Sequence, residues 1–136
     1  MLSKWSIKES MACSKCLETE TIEHYFFYCC ECKTFWYLVE QWFSKRSNVR
    51  IPLRVVNIMF GIPYKKTQDN VLFILNFIIL HGKWFIYKCK RDKKPLIFVA
   101  FLKYLKYVQK IEKDIATIRN NERDFGEKWS LMNLEL

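Results

Sequence analysis

Glycine and proline are scarce in this 136-residue chain, with three of each, and the scarcity excludes two broad classes. Disordered chains are enriched in these residues, and all-β chains need them at their many turns. Acidic residues are outnumbered, 14 against 23 lysines and arginines. Histidine occurs only twice, at His24 and His81. A Cys/His hydrolase therefore finds no orienting acid constellation, and such a site is not expected. No apolar run reaches the roughly twenty residues that span a bilayer. Val71–Leu80 is apolar apart from Asn76, but His81, Gly82 and Lys83 interrupt it, so it reads as a buried core helix and no membrane span is expected. Met1–Ser10 has no apolar run before a small-residue cleavage site, which favours an intracellular, reducing compartment, nucleus or cytoplasm.

What the chain does contain is apolar, aromatic and basic. Hydrophobic residues make up 51% and aromatics 17%, ample for the core of one domain, or of one small module and one modest one. At this length roughly two-thirds of the unfolded surface can be buried, so the core need not depend wholly on a metal. The net charge of +9 points to a polyanionic partner, nucleic acid first and anionic membrane second. A merely basic globular protein has the same balance.

The informative stretch is Cys13–Trp36, CSKCLETETIEHYFFYCCECKTFW. Cys13, Cys16, His24 and Cys29 form C-x2-C-x7-H-x4-C, a spacing that can set three thiolates and one imidazole around one ion. Zinc suits it, taking four ligands tetrahedrally from mixed S and N donors. Cys30 and Cys32 compete with Cys29 for the fourth position. The remaining readings are buried core thiols, disulfides, or a Cys/His nucleophile pair for which no orienting acid is evident.

On these residues the chain resembles the zinc-binding region near the C-terminus of LINE-type (non-LTR) retrotransposon reverse transcriptases. The resemblance is carried by Cys13-x2-Cys16, Glu20-Thr21-x2-His24-x-Phe26-x2-Cys29 and Phe35-Trp36. It extends to the lead-in Leu2–Ser10 and to the apolar, then basic, then Lys-rich run of Asn76–Trp129. It implies the remainder of a reverse transcriptase polyprotein as a possible partner, and a role in holding template RNA or target DNA during target-primed reverse transcription. The Asp-Asp pair that holds the polymerase's catalytic metals is missing from this sequence. The resemblance therefore implies the parent's biology without its catalysis, and no enzyme is expected.

Along the chain, Met1–Met11 reads as a short strand or irregular lead. Phe35, Leu38, Val39, Trp42 and Phe43 recur at helical steps and predict a helix from near Cys30 to Ser47-Asn48. Trp36 and Tyr37 fall partly outside this stripe, as base-stacking or packing aromatics. Pro52, Gly61 and Pro63 break the chain across Asn48–Lys66, the expected hinge, with a short strand or helix over Leu53–Phe60. Thr67 or Asp69 can cap a helix running to about Lys90, in which Gly82 permits close packing, while His81 and Cys89 read as structural. Pro95 can open a last helix to Arg119, with Phe98, Leu102, Leu105, Val108, Ile111, Ile115 and Ile118 on one face. Asn120–Leu136 reads as a short docking helix and a frayed tail.

The predicted architecture is mainly α, a small zinc-knuckle-like N-terminal loop joined to a two- or three-helix bundle. It divides into a zinc-binding module with its following helix (1–47), a linker (48–66) and a basic helical region (67–136). One zinc ion is expected on Cys13, Cys16, His24 and Cys29. Lys15, Lys33, Lys88, Lys90, Arg91, Lys93 and Lys94 are candidate phosphate contacts, and Lys103, Lys106 and Lys110, interleaved with Tyr104 and Tyr107, extend the track. RNA or single-stranded nucleic acid is the expected ligand, with target DNA an alternative. From a different class, the chain reads as a structural or protein-interaction remnant whose zinc site only completes a fold.

Overall fold

The computed structural model describes residues 21–63 and 70–129. The lead at 1–11, the Cys13–Cys16 pair, Lys15, the Thr67 or Asp69 cap and the tail after Trp129 lie outside the described residues. The rest is helical, with no strand among the described residues. A π-type turn, His24–Tyr28, is followed by α1 (Cys30–Ser47), α2 (Val55–Phe60), α3 (Asn70–Arg91), α4 (Phe98–Ile118) and α5 (Glu122–Trp129).

Helix α3 is the centre and touches every other element. Its buried residues, Ile74, Leu75, Ile78, Ile79, Gly82, Ile86 and Cys89, recur at three- and four-residue steps and mark one inward stripe. Phe73 and Leu80 are exposed, so the apolar run is not buried all round. Over its 22 residues α3 is long and apolar enough, by length and composition, to cross a membrane, so length does not argue against a span. Its inward stripe joins one buried cluster that runs from Cys29 to Trp129.

Helix α1 has the predicted bounds, but its buried stripe is Cys32, Phe35, Trp36, Val39 and Phe43. Leu38 is exposed and Trp36 takes the inward position. The reason lies on α3. A Cβ on Gly82 would stand 2.5 Å from Cη2 of Trp36, so the bare glycine is what lets the indole lie flush against the helix.

The expected hinge is tied down along its described part. The Leu53 N–H donates to the Glu40 carboxylate at 2.8 Å. Asn76, the one polar residue in the apolar run of α3, accepts from the Ile62 N–H at 2.7 Å and donates to the Ile62 carbonyl at 2.8 Å. Leu53 and Ile58 belong to the buried cluster. Pro52 and Pro63 interrupt helix without detaching the chain, because side chains of α1 and α3 take up the freed backbone groups.

Helices α3 and α4 form an antiparallel hairpin, with Phe85 against Phe101 (5.4 Å between ring centroids) and His81 against Tyr104 (5.6 Å). Helix α3 ends in a Schellman turn. Lys94 N–H donates to the Cys89 carbonyl and Lys93 N–H to that of Lys90, with Lys93 at φ 55°. Pro95 follows that turn and closes α3; α4 begins three residues later, at Phe98. The first half of α4 buries Phe101, Leu102 and Leu105, each contributing about 1.5–3 kcal/mol relative to exposure. The second half departs from expectation. Ile111, Ile115 and Ile118 are exposed, while Ala116 is the buried residue of that half and Glu112 holds Lys128 and Trp129 of α5. Helix α5 docks through Trp129, whose indole N–H donates to Glu112 at 3.1 Å.

Candidate metal and nucleic-acid site

The candidate site is built on the π turn. Thr21 accepts the His24 N–H on its hydroxyl at 3.0 Å, the bond an N-cap makes to the third residue of a helix. Cys29 N–H then donates to the His24 carbonyl at 2.9 Å, an i→i+5 closure that widens the turn. In an α-helix, positions 24 and 29 would face about 140° apart; the wide turn stacks their backbones instead. His24 is 5% exposed and Cys29 1%. Such π insertions recur at functional sites.

Two later side chains hold the turn. The Trp36 indole donates to the Phe26 carbonyl at 2.6 Å. Lys90 reaches back from α3, its Nζ donating to the Tyr25 carbonyl at 2.6 Å and lying 4.2 Å from the centre of the Tyr25 ring. The Cys32 thiol donates to that same Tyr25 carbonyl at 3.2 Å. Burial pushes Cys32 up to about 12, opposed by the Lys90 charge and aided by the neighbouring Cys29. Cys30 lies exposed on the outside of the first turn of α1.

Of the four expected zinc ligands, His24 and Cys29 are thus brought to the two ends of one turn, both buried. Cys13 and Cys16 lie outside the described residues, and no three His, Cys, Asp or Glu gather into a metal-holding group among the described ones. His24 and Cys29 are donors of the two kinds, imidazole nitrogen and thiolate sulfur, that a tetrahedral S/N site takes. Of the two rivals to Cys29, Cys30 faces outward and Cys32 is turned to a backbone carbonyl.

The basic residues divide. Lys90 is half-buried and bonded to the turn, so its charge serves the fold. Lys88, Arg91, Lys93 and Lys94 are exposed at the C-terminal end of α3, where cations also complement the helix dipole. Arg91 pairs with Asp92 at 3.1 Å, which raises the guanidinium's affinity for its proton and lowers that of the carboxylate. Lys33 stands exposed on α1, 5.9 Å from the Tyr28 ring. Lys103, Lys106 and Lys110 are exposed on α4 and run away from the basic end, Lys110 about 10 Å further along the axis than Lys103.

The aromatics split likewise. Trp36 is 2% exposed and packs, so it offers no face for stacking, whereas its neighbour Tyr37 is 60% exposed. Tyr104 bonds through its hydroxyl to His81 Nδ1 at 2.8 Å, and Tyr107 is exposed. His81 is half-buried between Phe77 and Tyr104, and burial lowers its pKa, as befits a structural histidine. Cys89 is a buried thiol raised by the same cause.

Three contributors have little or no signal in the sequence. The carbonyls of Tyr25 and Phe26 carry none. Thr21 had one, standing three residues before His24. No family model, curated protein or solved structure matches this chain.

Proposed function

We propose that this chain is a non-catalytic, zinc-stabilised nucleic-acid-binding segment. In this reading it acts inside the cell as the C-terminal part of a LINE-type reverse transcriptase, or as a descendant of one, and holds template RNA or target DNA. Cys13, Cys16, His24 and Cys29 would hold one zinc ion, which when bound ties the N-terminal loop to the π turn and supplies no chemistry of its own. The observation that carries the reading is the Lys90–Tyr25 contact. It joins the half-site of buried His24 and Cys29 to the basic end of α3, so metal and phosphate contacts would share one end of the molecule.

The test is native mass spectrometry of the full chain with a single-stranded RNA oligonucleotide across a salt series. One zinc per chain and an RNA complex that weakens steeply with salt are expected. A chain that carries no zinc overturns the metal assignment.

The second reading, a structural or protein-interaction remnant, is favoured by the exposed isoleucines of α4, Ile118 being 81% exposed. One zinc and no RNA complex at any salt concentration selects it.

A further inference from the structure

The central helix carries a second stripe that the core does not use. While Leu75, Ile78, Gly82, Ile86 and Cys89 turn inward, Trp84 and Tyr87 stand on the outer side, 45% and 42% exposed. Their ring centroids are 5.7 Å apart and their planes are inclined by only 31°. One turn further, the Arg91 guanidinium lies 5.7 Å from the centre of the Tyr87 ring, and Lys88 is exposed beside it. The spacing 84, 87, 88, 91 keeps all four on one face.

We propose that this face is a stacking platform for single-stranded nucleic acid, bases resting on Trp84 and Tyr87 and phosphates on Lys88 and Arg91. The inference rests on the nucleic-acid reading above and deepens it, because it names the strand state and the residues that take the bases. Three observations carry it. The two rings are neighbours, tilted by 31°, and open to water on a helix whose other side is packed into the core. The cations follow the rings in sequence order, so a strand laid along α3 meets bases and phosphates together. Finally, the charge is complementary, since the nine residues from Trp84 to Asp92 carry Lys88, Lys90 and Arg91 against one acid, Asp92, which pairs with Arg91 at 3.1 Å. Duplexes hide their base faces, whereas aromatic platforms take unstacked bases of any identity.

The experiment is fluorescence anisotropy of a labelled oligo-uridine, about twelve nucleotides long to fill a site of the usual size, with the full chain across a salt series. Trp84→Leu and Tyr87→Leu are expected to weaken binding about tenfold each with an unchanged salt slope, because stacking releases no counterions. Trp84→Phe is expected to recover most of the loss. Lys88→Gln and Arg91→Gln are expected to reduce the salt slope by about 0.7 each, the value for single strands. Circular dichroism checks that these exposed substitutions leave the helices intact.

Wild-type binding that Trp84→Leu and Tyr87→Leu leave unchanged overturns the platform while nucleic-acid binding stands. No binding by the wild type overturns both. Equal binding of a duplex of the same length, lost equally in the leucine variants, refutes the single-strand assignment. Binding only to phosphatidylserine vesicles through the same residues makes the face a membrane surface instead.

Discussion

Gly82→Ala gives the most direct test of how the candidate site is supported. An added Cβ would lie 2.5 Å from Cη2 and 3.0 Å from Cζ3 of Trp36, and 3.4 Å from Cε2 of Phe35. Carbon atoms pack at about 3.5–4.0 Å, so the indole must retreat by about 1 Å. It has no free space to enter, since Phe35 and Trp36 are both 2% exposed. Its retreat also pulls on the 2.6 Å bond to the Phe26 carbonyl in the π turn. Overpacking of this kind costs about 1–3 kcal/mol and the weakened bond about 1 kcal/mol. Better helix propensity returns about 1 kcal/mol. The expected net loss is about 2 kcal/mol, or about 6–10 °C in Tm for a chain of this length. Urea unfolding followed by circular dichroism reads it as a shift in midpoint at constant slope. In a Trp36→Phe background the two offending carbons are gone, and Gly82→Ala is expected to be neutral or mildly stabilising. Two results would refute the reasoning: stabilisation of the wild type by Gly82→Ala, or the same cost in both backgrounds.

Asn76→Ala removes both bonds to the Ile62 backbone and is expected to cost about 2 kcal/mol, again read from the urea midpoint; an unchanged midpoint would show that the clamp contributes nothing. His81 titrates below the usual histidine range because burial and the Lys128 charge disfavour its protonation, with Glu112 opposing them and Tyr104 bonded to its ring. The unfolded chain therefore binds more protons than the folded one as pH falls below about 6.5. Stability is expected to be fully present above that value and to decline below it until the lowered folded pKa is passed, with His81→Gln flattening the profile of Tm against pH. Glu112→Gln weakens the grip on Lys128 Nζ, held at 2.8 and 3.1 Å by the two carboxylate oxygens, and is expected to raise hydrogen exchange in α5 while α1 and α3 keep their protection.

The helices were legible because their periodicity is strong. The bounds of α1 and the end of α3 follow from apolar spacing and from the breakers beyond them, and α5 (Glu122–Trp129) lies where a short docking helix is expected within Asn120–Leu136. Spacing alone could not choose between Leu38 and Trp36 as the inward residue of α1. That choice is made by Gly82, far along the chain on α3, whose missing side chain leaves room for an indole. Nor does amphipathic spacing along α4 reveal which of its apolar residues find a partner: Ala116 is buried, whereas Ile111, Ile115 and Ile118 are exposed. For the candidate site, the sequence named His24 and Cys29 from ligand spacing, and the fold buries both side chains at the two ends of a turn whose Tyr28 is exposed. The turn's π geometry was not legible, nor was Lys90, whose neighbours in the basic run made it look like one more phosphate contact. Its true setting depends on the Tyr25 carbonyl, a backbone group that no side-chain pattern encodes.

The same contacts predict what metal removal does, if zinc is bound as proposed. The buried cluster draws Ile74, Ile78 and Ile86 from α3 and Phe101 and Leu105 from α4, and none of these residues is a metal donor. A chelator is therefore expected to leave the α3–α4 hairpin folded, while hydrogen exchange rises in the π turn and the first turn of α1. His24→Ala and Cys29→Ser should reproduce that footprint and lose the ion, whereas Cys30→Ser should keep it. Lys90→Met separates the two supports of the turn. It removes the bond to Tyr25 but retains a long apolar side chain, so exchange should rise at Tyr25 and Phe26 with zinc still bound. Pulsed hydrogen exchange read by mass spectrometry, with the zinc count taken from the intact ion, measures both quantities on one sample. Unfolding of the whole chain on chelation would mean that the metal, rather than the packing around Gly82, organises the core. Zinc retained in both His24→Ala and Cys29→Ser would remove the π turn from the metal site altogether.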